Sequence, residues 1–78
     1  MKILALDLGK FNTMCCFFDS KTRKYEFLNA TTDRNYFETI FKKHKIDLVV
    51  MEACGPSGWI NDLAISHGLK TQIGRAHV

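Results

Sequence analysis

The stretch Ile46-Asp47-Leu48-Val49-Val50-Met51-Glu52 (IDLVVME, residues 46–52) is the most β-like run of the chain, with Leu48 to Met51 apolar in succession. Such a run predicts a central strand covered on both faces, because a strand with one wet face would alternate. What precedes it sets its partner. Asp33 can cap a helix whose apolar residues Tyr36, Phe37, Ile40 and Phe41 fall at helical spacing. Lys42-Lys43-His44-Lys45 closes that helix with positive charge at the negative end of its dipole. A strand reached through a helical crossover pairs in parallel with an earlier one.

Upstream of the helix the chain reads as three strands. Residues 2–8 (KILALDL) form the first, Gly9-Lys10-Phe11-Asn12 a turn, and TMCCFFD a second strand ending at Asp19-Ser20. After the polar, basic SKTRK, the segment YEFLNAT sets Tyr25, Phe27 and Asn29 against Glu26, Leu28 and Ala30, a third strand. Downstream of IDLVVME, Gly55-Pro56-Ser57-Gly58 opens a second helix with Trp59, Ile60, Leu63 and Ala64 on one side. Gly68 stops it, and LKTQI begins a fifth strand. The order βββαβαβ predicts an α/β fold, a mixed sheet with strands 1 and 4 parallel and helices packed on it. There is no internal repeat, low-complexity tract or linker.

Seventy-eight residues make one small domain, which buries only about 60% of its unfolded surface. Hydrophobic residues at 46% and charged ones at 24% are globular values and exclude a disordered tail. The net charge of +3 suits an anionic partner without demanding one. Cys15, Cys16 and Cys54 form neither a CxxC pair nor an even-numbered framework, so a zinc site or disulfide scaffold is not indicated and a reducing cytoplasm fits best. No apolar run approaches the ~20 residues of a membrane span.

The ending breaks the pattern. Residues 73–78, IGRAHV, turn from an apolar strand to Gly-Arg, and they are what a common sequencing-library adapter encodes when translated through to its stop. On this reading residues 1–72 are the credible chain, the front of something longer, and residues 73–78 a non-native tail.

Two carboxylates stand out. Asp7 follows Ile3, Leu4, Ala5 and Leu6, which read as a buried strand, and an unpaired buried charge there would cost several kcal/mol, roughly. Glu52 closes the fourth strand. If strands 1 and 4 pair in parallel, the two acids converge at one sheet edge, each just before a glycine-containing turn, DLG and EACG. Mg²⁺ prefers oxygen ligands and often takes one or two carboxylates, and paired ions roughly 3.5–4 Å apart serve phosphodiester displacement. The plainer reading is two solvated strand-end residues.

ILALDLGKFN followed by DLVVMEACGPSGWINDLAISHGLK resembles the N-terminal domain of the IS110-family transposases. The more specific part is Met51-Glu52-Ala53-Cys54-Gly55 with the helix ending at Gly68. The resemblance covers residues 1 to about 72 and implies an RNase H-like, RuvC-like fold, incomplete here at its C-terminus. It further implies that Asp7 and Glu52 are the first two members of a DEDD tetrad, catalytic and metal ligands for Mg²⁺ in DNA strand exchange. Similar proteins are longer and carry two more aspartates, a C-terminal serine domain and a guiding bridge RNA, and a homo-oligomeric parent is expected. Asp62 lies one helix too early to serve and reads as a solvated residue, so the 78-residue chain is expected to be inert.

Two other classes compete. Asp7, Gly9 and Thr13 also fit the phosphate loop of ATPases related to actin, heat-shock chaperones and sugar kinases, which has no need of Glu52. A non-enzymatic nucleic-acid-binding module is the third, resting on Lys21, Arg23 and Lys24 and on Lys42, Lys43 and Lys45 as a phosphate track. Lys10, beside the carboxylates, is the one cation singled out for contact with phosphate or RNA. Trp59 and the phenylalanines read as core, Cys15 and Cys16 as opposite faces of a strand, Cys54 as no nucleophile, His44 and His67 as helix ends, and Ser57 as a helix cap.

Overall fold

The computed structural model describes residues 1–74. Its elements follow the expected order: β1 (Lys2–Asp7), β2 (Asn12–Asp19), β3 (Tyr25–Thr31), α1 (Arg34–Lys43), β4 (Leu48–Glu52), α2 (Ser57–Ser66) and β5 (Lys70–Gly74). They form a compact α/β domain with a five-stranded mixed sheet in the order β3-β2-β1-β4-β5. β1 is antiparallel to β2, and β2 to β3, whereas β1–β4 and β4–β5 are parallel. Ile73 and Gly74 complete β5, and the part of the tail assignment from Arg75 onward lies outside the described residues.

The parallel register runs from Ile3↔Leu48 to Leu6↔Met51. Its start is tied by a reciprocal pair of hydrogen bonds: the Asp47 N–H donates to the Lys2 carbonyl (2.7 Å), and the Lys2 N–H donates to Asp47 Oδ2 (2.7 Å). Asp47 thus supplies with its side chain a partner that the sheet ladder does not offer at the first residue of β1.

Both helices cover the same face. Leu4, Leu6, Cys15, Ala30, Val49 and Met51 are the buried side chains of the sheet. Phe37, Ile40 and Phe41 of α1 and Ile60, Leu63 and Ala64 of α2 close over them. Phe37 has no exposed surface and meets the Trp59 ring edge-on, with centroids 6.0 Å apart. α1 links β3 to β4 and α2 links β4 to β5, two parallel crossovers stepping across the sheet in the same direction. Right-handed connections therefore put both helices on one side.

This corrects the expectation that β4 is covered on both faces. Val49 and Met51 are buried, but Leu48 and Val50 point to the helix-free face and are only half-buried. The same face carries half-buried Ile3, Ala5, Cys16 and Phe18 and exposed Met14, Tyr25 and Phe27. The assignment of all phenylalanines to the core fails with it, since Phe27 is 64% exposed and Phe11, in the β1–β2 turn, 72%. Asp7 belongs to this open face too and is exposed, so the cost of burying its charge does not arise.

The helix boundaries agree with their signals except at one cap. Asp33 caps α1 by accepting from the Tyr36 N–H at 3.1 Å, and Gly68, at φ 77°, ends α2 in the left-handed region that glycine tolerates. Ser57 does not cap α2. Its Oγ accepts from the Cys54 N–H (3.1 Å) and donates to the Cys54 carbonyl (2.7 Å), which closes the turn before the helix and leaves Pro56 in the cap position. Cys15 is buried and Cys16 half-buried on opposite faces of β2; burial pushes the Cys15 thiol up to about 11, so it stays protonated at neutral pH. No helix among the described residues is long and apolar enough to cross a membrane.

Two outcomes test this architecture. Asp47→Ala removes one arm of the β1–β4 tie and should cost about 1 kcal/mol in urea unfolding; a midpoint unchanged from wild type would show that the tie is idle. Asp19, at the end of β2, accepts from the Lys21 N–H (2.9 Å), and this bond, with a smaller one from Thr22 and the charge of Lys2, holds its carboxyl below the ordinary range. A depressed carboxyl contributes stability above its unfolded pKa, near ~4, and loses it as pH falls through the folded value. Asp19→Asn should therefore lower stability at neutral pH and flatten the stability–pH curve on the acid side of ~4.

Candidate functional site

β1 and β4 lie side by side and end together. The last paired residues of the ladder are Leu6↔Met51, and continuing the register by one place sets Asp7 beside Glu52, at the carboxyl ends of adjacent parallel strands. Neighbouring strands are about 4.8 Å apart. Side chains alternate along a strand, so Asp7 shares a face with Ala5 and Ile3, and Glu52 shares that face with Val50 and Leu48. Both carboxylates thus stand on the open, helix-free face, and both are exposed.

The register continues outward on either side. Met14 pairs with Asp7, Asn29 with Met14, and Gly74 with Glu52, so one row across the sheet reads Asn29, Met14, Asp7, Glu52, Gly74. The row has two hard oxygen donors at its centre and an amide two strands away. Asn29 has no signal in the sequence that would mark it, because its place depends on a hairpin register. Among the described residues no group of three or more His, Cys, Asp or Glu side chains comes together.

The turn that follows Asp7 is held rigidly. Thr13 is fully buried on the helix face, its Oγ1 shares a hydrogen bond with Thr32 Oγ1 (2.8 Å), and Thr32 Oγ1 is within bonding distance of the Gly9 carbonyl (2.8 Å). The Thr32 N–H donates to the Phe11 carbonyl (2.8 Å). The loop after β3 therefore pins the loop after β1. Thr13 and Asp7 point to opposite faces of the sheet, which does not suit a phosphate loop that would use both.

The remaining candidates separate from the pair. Lys10 is exposed in the same turn with its Nζ 5.4 Å from the centre of the Phe11 ring, and it makes no ion pair among the described residues. Cys54 is exposed just past Glu52, and Asp62 is exposed on α2. His44 and His67 cap their helices; His67 Nε2 reaches Glu38 at 4.0 Å, and the His44 ring lies 4.3 Å from that of Phe17.

Gly9 gives the turn its testable weakness. A Cβ there would collide with the backbone carbonyl of Asn12, which no rotamer change relieves. Gly9→Ala should cost on the order of 1–3 kcal/mol in chemical denaturation and shift the amide resonances of Asp7 and Thr13; an unperturbed spectrum would disprove the tight turn. Scanned against protein-family models and searched against curated proteins, the chain matches none.

Proposed function

We propose that Asp7 and Glu52 are a divalent-cation site acting on nucleic-acid phosphodiesters, in the N-terminal, RuvC-like part of a DEDD transposase of the IS110 type. The observation that carries this reading is their adjacency in register, on one exposed face, at the carboxyl ends of two parallel strands. Residues from distant sequence meet where open α/β sheets place ligands. The donor set fits the cation: two exposed carboxylates leave room for the waters and phosphate oxygens that complete an Mg²⁺ shell. A bound Mg²⁺ would supply charge stabilisation at phosphate oxygens. The chain's own residues hold it, and the pinned Gly9 turn fixes the end of the strand that carries Asp7.

A mixed sheet in which three antiparallel strands lead into a parallel β1, β4 and β5 supports the RNase H-like assignment. DNA and a guiding RNA as partners, a homo-oligomeric parent and a cytoplasmic setting belong to the same proposal. Asp7 and Glu52 are the two carboxylates that the described residues bring to this proposed site. The ATPase alternative is less well supported, because Thr13 is sealed in the core with its hydroxyl engaged by Thr32.

Mn²⁺ is a paramagnetic stand-in for Mg²⁺ at such a site. Added to the labelled chain, it should broaden the amide resonances around Asp7 and Glu52 first, Mg²⁺ should reverse the broadening, and Asp7→Asn or Glu52→Gln should abolish it. Broadening that ignores both substitutions sinks the proposal.

A further inference from the structure

We infer that the end of the sheet opposite the carboxylates is a binding site for single-stranded nucleic acid. The two basic segments that sequence alone leaves far apart meet there. A cleft of about 420 Å³ opens between the β2–β3 hairpin, the start of β1 and the segment joining α1 to β4. Lys24 reaches it from the hairpin and Lys45 from beyond α1, and neither makes an ion pair among the described residues. Five of the chain's eleven Lys and Arg residues, Lys2, Lys21, Arg23, Lys24 and Lys45, lie on these three segments. Helix packing thus gathers a mild net charge into one place, the electrostatic footprint of a phosphate-binding surface.

The cleft also offers aromatic faces. Phe17, half-buried with its ring 4.3 Å from that of His44, half-buried Phe18 and Tyr25 line it, and Tyr25, 62% exposed, presents the free ring. Phe27 continues the aromatic surface onto the open sheet face, its ring 5.5 Å from that of Tyr25 and edge-on to it. Exposed aromatic rings bordered by unpaired lysines suit unstacked bases with their phosphates, the combination that favours single strands. A duplex offers phosphates but no free base faces, and an acidic peptide has no use for the rings. Two acids share the cleft. Asp19 is countered by Lys2 at 3.5 Å, whereas Glu26 has no cationic partner among the described residues and opposes a phosphate.

This site needs no metal and stands independently of the carboxylate pair. The test is fluorescence anisotropy of a labelled oligothymidylate of about ten nucleotides with the full chain in EDTA, titrated between about 50 and 200 mM salt. Lys24→Ala and Lys45→Ala should each weaken binding several-fold and lower the salt slope by about one. Tyr25→Ala should weaken it with the slope unchanged, Glu26→Gln should tighten it, and Lys70→Ala, on the far edge strand, should leave it as it is. In the wild-type chain the amide shifts caused by the oligonucleotide should centre on residues 22–25 and 44–46. The inference is overturned by absence of binding, by shifts centred elsewhere, by equal loss in Lys70→Ala, or by duplex DNA or polyglutamate competing as well as the unlabelled single strand.

Discussion

The parallel pairing of β1 with β4 is the constraint on which the rest of the structure depends. It joins the antiparallel half of the sheet to the parallel half, and its register decides which side chains share a face. A slip of one residue would carry Leu4 and Leu6 away from the helices and bring Ile3, Ala5 and Asp7 under them. The reciprocal bonds between Lys2 and Asp47 hold the register at its start, and the buried set of Leu4, Leu6, Val49 and Met51 holds it along its length. The same register sets Asp7 beside Glu52.

Because both crossovers step the same way, the helices share a face and the core is single-sided. Among the described residues the two ten-residue helices cover one face of the five-stranded sheet. The apolar residues left on the other side, Ile3, Ala5, Phe18, Leu48 and Val50 among them, surround two functional-looking ends. Acidic oxygens stand at the carboxyl ends of the parallel strands and basic, aromatic groups at their amino ends. Along β1 these are roughly 17 Å apart, five steps of a strand.

Rigidity is concentrated at the acidic end. Gly9 has no room for a side chain, and the Thr13–Thr32 pair ties two loops that follow different strands. The fully buried Thr13 hydroxyl would carry a desolvation cost of about 1–3 kcal/mol without Thr32, whose own hydroxyl also bonds the Gly9 carbonyl. Threonine at position 13 is therefore explained by the core.

Much of this was legible in the sequence, since strand and helix periods, the Asp33 cap, the Gly68 stop and the element order are local properties of residue spacing. The candidacy of Asp7 and Glu52 followed as well, because each ends an apolar run before a glycine turn. The run Leu48 to Met51 misled, since apolarity records that a side chain avoids water without saying whether a helix or nothing lies across from it. Likewise, no local signal distinguished Phe37, sealed between helices, from Phe27 on the open face. The sequence by itself determined which segments are strands and helices and their order, with ends that differ by a residue or two from the observed ones. Only the tertiary structure decided which face is covered, that Asn29 shares a row with the carboxylates, and that Lys24 and Lys45 border one cleft, because register and crossover hand act between segments distant in the chain.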